Sequence, residues 1–447
     1  MDQQPIDERL LVGQFRRDNL IGFYQFIERY ESFIAPIMRA RGYKRINKVK
    51  RTVLFTFGEV TFERSRWSNG KRVRIPVDEK LGLAKRISIS KELMFQITRL
   101  ATLVPYRKVV EIVELMYGIY ISKDTVIRCL NHAEKLLKER EDYRFFEESE
   151  EVVKEKAPII YLEGDGVMVK VADADIDNHR YDLSHFVIHT GSRKIRKNRF
   201  ELQNKKEFVG IKNAPTREKV IDYLYNHFEI TPQTLLITNS DNGHGYTPYV
   251  FDEIAKALGV KHHYHFWDSY HLNQKLRTYY KNFPDELLDG AFEAIKKHSK
   301  KDLKMILDTT ESLLVTKEDE ATFSKLRLKL LQNFKYTAHP NYYGLPHAGI
   351  GIMESQHRKL TYRMKKRGMY WSVHGLDRMS RLILLNTEGQ IRDLFFGEWR
   401  EQYQFFTPLE SADVYLQDNS NKDYGERLKG TITQTKDRKS IKKRPAL

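Results

Sequence analysis

The 447-residue chain has a single cysteine, Cys129, so no intrachain disulfide can form and no cysteine cluster can build a zinc ribbon or an iron–sulfur centre. It has no uninterrupted apolar run near twenty residues, which argues against a membrane-spanning helix. Residues 1–10 are polar and acidic, without the basic and apolar regions of a secretory signal. The expected setting is therefore reducing and cytoplasmic. Acidic residues are in deficit: 60 Asp+Glu against 77 Lys+Arg leave a net charge of +17, which suits a polyanionic partner because Lys and Arg displace counterions from a phosphate backbone. With 40% hydrophobic and 12% aromatic residues, the chain carries ample core material and is not globally disordered. Its length points to two or three domains.

Residues 10–41 show helical spacing, with Leu20, Phe23, Ile27, Tyr30 and Ile34 recurring every three or four positions. Between Ser32 and Gly58 there is no acid, but there are seven bases: Arg39, Arg41, Lys44, Arg45, Lys48, Lys50 and Arg51. Such a run is either a phosphate-contacting patch or a solvated helix end. Residues 52–57 and 60–66 alternate apolar and polar around Gly58-Glu59, which predicts a hairpin turning at that pair, with residues 71–76 as a third strand. Two helical stretches, 106–117 and 124–137, flank Gly118 and a capping Ser122, the pattern of a helix-turn-helix and equally of any helical hairpin. Residues 1–150 are thus expected to form a mixed helical and small β-sheet domain that binds DNA. The charged, apolar-poor stretch 138–157 is the expected boundary.

After it come strand-like runs at 158–170, 183–189 and 200–211, a helix at 215–228, a strand at 234–238, a helix at 248–258, a strand at 260–266 and a helix from Ser269. This order, β-β-β-α-β-α-β-α, is that of a ribonuclease-H-like catalytic domain, giving an α+β or α/β class overall. Residues 272–345 read as an all-helical insertion, followed by a helix over 351–368, and the catalytic domain is expected to span 151–428. Residues 429–447 form a basic tail.

Phosphoryl transfer on this fold uses hard divalent ions held by oxygen ligands, so three carboxylates should converge. Asp165 ends the apolar run Tyr161-Leu162-Glu163-Gly164, Asp241 ends the strand that begins at Leu235, and Glu354 opens a helix with Arg358 one turn later. Each alone reads as a turn former or a helix cap. Together they occupy the three positions that the fold needs. The 113 residues between Asp241 and Glu354 leave room for the helical insertion. Asp268 is a rival ligand or the N-cap of the helix at Ser269. The histidines at 262, 263, 265 and 271 lack the cysteines or HExxH spacing of a zinc site. His357, Arg358, Tyr370 and Trp371 are candidates for stacking on or clamping distorted DNA, with core packing as the other fate of Trp371.

Trp267-Asp268-Ser269-Tyr270-His271 resembles the C/D-x-x-H signature of Mutator-like DDE transposases. The residues Met353-Glu354-Ser355, Arg358, Lys365-Lys366-Arg367-Gly368-Met369-Tyr370-Trp371-Ser372 and Gly375 are similar to the Glu-helix region of the ISLre-two family of bacterial insertion-sequence transposases. The resemblance runs over most of the chain and includes the Gly58 hairpin and Leu81-Gly82-Leu83. It implies a DDE transposase that binds terminal inverted repeats and catalyses metal-dependent strand cleavage and strand transfer. Asp165, Asp241 and Glu354 would then be the catalytic and metal-binding triad for two Mg²⁺ ions, with Mn²⁺ as a substitute. Asp268, His271, Arg358 and Trp371 would support those ligands or face DNA. The implied partners are double-stranded DNA, both element ends and target, and further copies of the chain in a homodimer or higher oligomer. The implied location is the bacterial cytoplasm, at the nucleoid through DNA. A structure-selective nuclease and an inactive DNA-binding derivative are the alternatives.

Overall fold

The computed structural model describes residues 7–147, 153–173, 179–197, 199–345 and 349–406. The expected basic tail at 429–447 lies outside them. The chain divides into two compact units, one of residues 1–143 with 385–406 and one of residues 144–384. No helix among the described residues is long and apolar enough to cross a membrane.

In the first unit, helix α1 (Glu8–Ala40) lays Leu20, Phe23, Ile27 and Tyr30 against a three-stranded antiparallel sheet of β1 (Lys44–Phe55), β2 (Gly58–Ser68) and β3 (Val73–Arg74). Their shared core contains Val53, Phe55, Val60 and Phe62. The hairpin turns at Thr56-Phe57, two residues before the expected position, because Phe55 pairs with Gly58. Gly58, at φ +134°, is the first residue of β2 and not part of the turn. Of the seven bases, Arg39, Arg41, Lys44, Arg45, Lys48 and Lys50 are exposed. Arg51 is not part of that surface. Its guanidinium lies 2.6 Å from Asp78, which Arg64 also binds, and it donates to the carbonyls of Ala84 and Ile87. A buried carboxylate between two guanidinium groups holds them in place, so Arg51 is structural.

Helices α2 (Pro76–Lys80), α3 (Lys91–Leu103), α4 (Tyr106–Tyr117) and α5 (Lys123–Glu147) follow. Gly118 ends α4, and the Ser122 hydroxyl accepts from Thr125 N at 3.2 Å, capping α5. Ser122→Ala should cost about 1 kcal/mol in urea unfolding, the usual worth of an N-cap. The expected linker 138–157 is partly the end of α5, where buried Tyr143 meets Trp399. Two short helices, Ile391–Phe396 and Trp399–Phe406, belong to this unit rather than to the expected 151–428 domain. Phe395 packs on Phe95, and Asp393 pairs with Arg140.

The second unit is built on a mixed five-stranded sheet. Its strands are β4 (Ile159–Lys170), β5 (Arg180–His189), β8 (Lys206–Gly210), β9 (Leu235–Ser240) and β10 (His262–Trp267), in the order β10-β9-β4-β5-β8. β4 to β5 and β5 to β8 are antiparallel, while β4 to β9 and β9 to β10 are parallel. The single strand expected at 200–211 is two: β7 (Arg199–Gln203) pairs with β6 (Gly191–Arg196) in a separate ribbon, and only β8 joins the sheet. The parallel steps need crossovers, supplied by α6 (Asn213–His227) and α7 (Pro248–Ala257). Their apolar residues, including Val220, Leu224, Phe251 and Ile254, bury one sheet face with Leu162, Phe186 and Leu236.

Beyond β10 come α8 (Ser269–Tyr279), α9 (Asp285–Lys296), α10 (Lys300–Glu311) and α11 (Lys317–Gln332). They share a second core with Trp267, Leu276, Tyr280, Leu303, Phe323 and Leu330 at its centre. Finally α12 (Met353–Met364) packs on β4, and α13 (Val373–Thr387) leaves the unit.

Candidate functional site

Side chains alternate across a strand, so Tyr161, Glu163 and Asp165 share the face of β4 opposite Leu162. The register pairs Glu163 with Asn239 and Gly164 with Ser240, which sets Asp165 beside Asp241 just past the end of β9. Trp267 pairs with Ser240, and Asp268 N donates to Ser240 O at 2.7 Å. Asp165, Asp241 and Asp268 therefore form a row across three adjoining strands. Asp182 of β5 approaches from the other face of the sheet, and it fits because Gly166 has no side chain: a Cβ there would sit 2.2 Å from Asp182 Oδ1.

The crowding shows in the protonation equilibria. Burial and the neighbouring Asp241 push the Asp165 carboxyl up to about 7, against the hydrogen bond from Gly166 N at 2.8 Å. Burial and Asp241 also raise Asp182.

Helix α8 faces this row with His271 and Lys275, one turn apart. His271 Nε2 is 3.9 Å from Asp165 Oδ2, and Lys275 Nζ is 3.6 Å from Asp241 Oδ2. Asp268 caps the same helix, accepting from Tyr270 N and His271 N at 2.8 and 3.2 Å. A cavity of about 610 Å³ lies alongside, lined by Asn239, Trp267, Asn273, Arg277 and Gly351 among others.

Helix α12 reaches the row through His357, whose Nδ1 is 3.7 Å from Asp165 Oδ2. Burial and the nearby His185 and His271 lower this imidazole to about 3, so it is neutral at physiological pH. His357 is buried and is not a DNA-stacking group. Behind it, the ring of His185 lies 5.1 Å away, and His185 Nε2 is 3.0 Å from Glu207, which Lys359 of α12 also binds at 2.7 Å. Burial alone would raise the Glu207 carboxyl, but His185 and Lys359 outweigh it and hold it below the usual range.

The start of α12 is fixed by a residue that the sequence did not single out. Fully buried Glu163 accepts from Gly351 N and Ile352 N, both at 3.0 Å, through Oε2. Burial drives this carboxyl well above its ordinary value.

Of the expected triad, Asp165 and Asp241 are brought together. Glu354, in the first turn of α12 and one turn before His357, is exposed. Among the described residues, no three His, Cys, Asp or Glu side chains stand close enough together to hold a metal ion. Arg358 is exposed, as is Tyr370. Trp371 is only 4% exposed: its indole donates to Met364 O, and the Arg363 guanidinium lies over its ring, so it packs inside and does not face DNA. His263 and His265 both reach Thr238 Oγ1, and His263 also pairs with Asp252, which accounts for them without zinc.

Fold and site together define an α+β protein with a mixed sheet and a carboxylate row across three of its adjoining strands. The chain belongs to the uncharacterised protein family UPF0236, whose pattern matches residues 22–403. It is 29% identical over 389 residues to the UPF0236 protein in the vanSb 3′ region of Streptococcus gallolyticus, covering 86% of this chain and 82% of that one. It is also similar, at 12% identity and a TM-score of 0.24, to the Drosophila P element transposase strand transfer complex, covering 72% of this chain and 85% of that one. A likeness that slight carries no argument about fold or activity.

Proposed function

We propose that the protein is a DDE transposase of ribonuclease-H-like fold, acting on double-stranded DNA. The observation that carries this reading is the placement of Asp165, midway along β4, beside Asp241 just past the end of β9, with Asp165 raised to about 7. Two crowded carboxylates of this kind call for a cation, and their oxygens suit a hard one. The sheet order, with the first strand central, the parallel strands β9 and β10 on one side, and β5 as the one strand of the five running against the others, supports the fold.

Asp165 and Asp241 would hold Mg²⁺ or Mn²⁺, and Glu354, exposed in the first turn of α12, would be the third ligand. When bound, a pair of such ions supplies Lewis-acid activation of the attacking oxygen and stabilises the leaving one. Glu163 fixes the height of α12 on the sheet. Neutral His357 packs against Asp165 without contributing a charge. His271 and Asp268 set the mouth of the site from α8. The exposed bases from Arg39 to Lys50, with the helix pair α4 and α5, would engage the element ends. Because two ends must be processed together, the active form would be a dimer or larger.

The test offers supercoiled plasmid and oligonucleotide ends bearing free 3′-hydroxyls, with Mg²⁺ or with chelator. Joined products that require Mg²⁺ support strand transfer. Nicking without joining identifies a nuclease instead, and binding without either reaction identifies an inactive derivative.

A further inference from the structure

The helical insertion delivers two ammonium groups to the end of β9. Lys275 Nζ of α8 donates to Asp241 O at 3.2 Å, and Lys329 Nζ of α11 donates to Asn242 O at 2.9 Å. Both lie over the ring of Trp267, at 5.8 and 5.7 Å from its centroid. Lys329 sits in the last turn of its own helix, where a cation is favoured by the helix dipole. Its side chain nevertheless leaves that helix for a carbonyl 87 residues away in sequence. Asn242 is held at φ +56°, a conformation that turns the chain sharply after Asp241.

Two ammonium groups around one indole, with Asp241 as the carboxylate 3.6 Å from Lys275, set positive charge against the carboxylate row at the end of β9. Burial first and then the nearness of Lys275 lower the Lys329 ammonium, while Asp241 acts the other way. The Lys275 side chain is 40% exposed, which leaves it accessible. An aromatic face under two cations also holds them without neutralising them.

We propose that Lys275, Lys329 and Trp267 form a clamp for one backbone phosphate of a nucleic-acid strand laid across Asp165 and Asp241, which makes the helical insertion a working part of the site. The proposal rests on the reading of that site as one for phosphodiester chemistry. The clamp holds a phosphate beside the carboxylates and transfers no proton, so both lysines are positioning residues.

The test measures binding of a fluorescent DNA duplex of fixed sequence in chelator over a range of salt, for the wild type, Lys275→Gln, Lys329→Gln, the double variant and the double arginine variant. Loss of both lysines, and so of one phosphate contact, should lower the slope of log affinity against log salt by about 1, each single variant should lower it by less, and arginine should restore it. An unaltered slope in a double glutamine variant that melts cooperatively like the wild type overturns the clamp, even if the wild type nicks plasmid. A lowered slope without any nicking keeps the clamp and removes the transposase reading. If millimolar inorganic phosphate protects Lys275 and Lys329 from amine labelling and the duplex does not, the site takes free phosphate and the backbone assignment is overturned.

Discussion

Replacing Asp165 with asparagine should abolish Mg²⁺-dependent cleavage and also make the ligand-free protein more stable at pH 8. In the folded chain this carboxyl titrates at about 7, against an ordinary value of 3.8. Between those values the folded state holds more protons than the unfolded one, so stability falls as pH rises through that window. Above it the full cost is present, up to ~4 kcal/mol. Asparagine is neutral throughout, and its carbonyl can still accept from Gly166 N. The variant should therefore melt several degrees above the wild type at pH 8, with the gap closing towards pH 4. If Asp165 holds Mg²⁺ as proposed, added Mg²⁺ should raise the melting temperature of the wild type, since a ligand of the folded state alone stabilises it, and should not raise that of the variant. Loss of the proposed metal-binding oxygen should slow cleavage by ~1,000-fold or more, the equivalent of several kcal/mol of transition-state stabilisation. Calorimetry across pH, with and without Mg²⁺, separates the two effects. A fall in ligand-free stability at pH 8 would mean that His271 and its neighbours already compensate the carboxylate.

Local chemistry made part of this legible in sequence. The apolar spacing of α1 marks a stripe that packs on β1 and β2, and the acids closing two apolar runs, Asp165 and Asp241, meet on the adjoining strands β4 and β9. The hairpin was harder, because Gly58 signals positive φ without saying whether it stands in the turn or at the head of the next strand. Residues 200–211 look like one strand because a short reversal at residues 204–205 interrupts no apolar pattern, yet they serve two sheets. Glu163 gave no signal: a carboxylate inside a strand reads as an exposed position, and only the fold shows that the start of α12 comes down on it. Lys275 and Lys329 were hidden among the many charges of the insertion, since what joins them is a ring that both approach from different helices.

Glu163 carries the second large expectation. Its Oε2 takes both N–H groups at the head of α12, while its Oε1 is buried with no hydrogen-bond partner among the described residues. Because burial raises its pKa, the folded state favours the protonated carboxyl, and its contribution to stability declines as pH rises above the ordinary 4.5. Glutamine has the same shape, keeps an accepting oxygen and never ionises. Glu163→Gln should therefore preserve the fold at neutral pH and flatten the decline of stability with rising pH. Alanine removes the acceptor and leaves a void, so Glu163→Ala should cost ~2–4 kcal/mol. In surviving folded protein it should also release the head of α12, shifting Glu354 and His357 relative to Asp165. A displacement of about 1 Å is enough to lose ~100-fold in rate. Mg²⁺-dependent nicking per folded molecule, measured for alanine and glutamine variants side by side, decides the matter. If alanine nicks as fast as glutamine, α12 is held by its contacts with Glu207 and β4 and not by this anchor; if glutamine alone restores the rate, the two bonds to Gly351 and Ile352 set the geometry of the site.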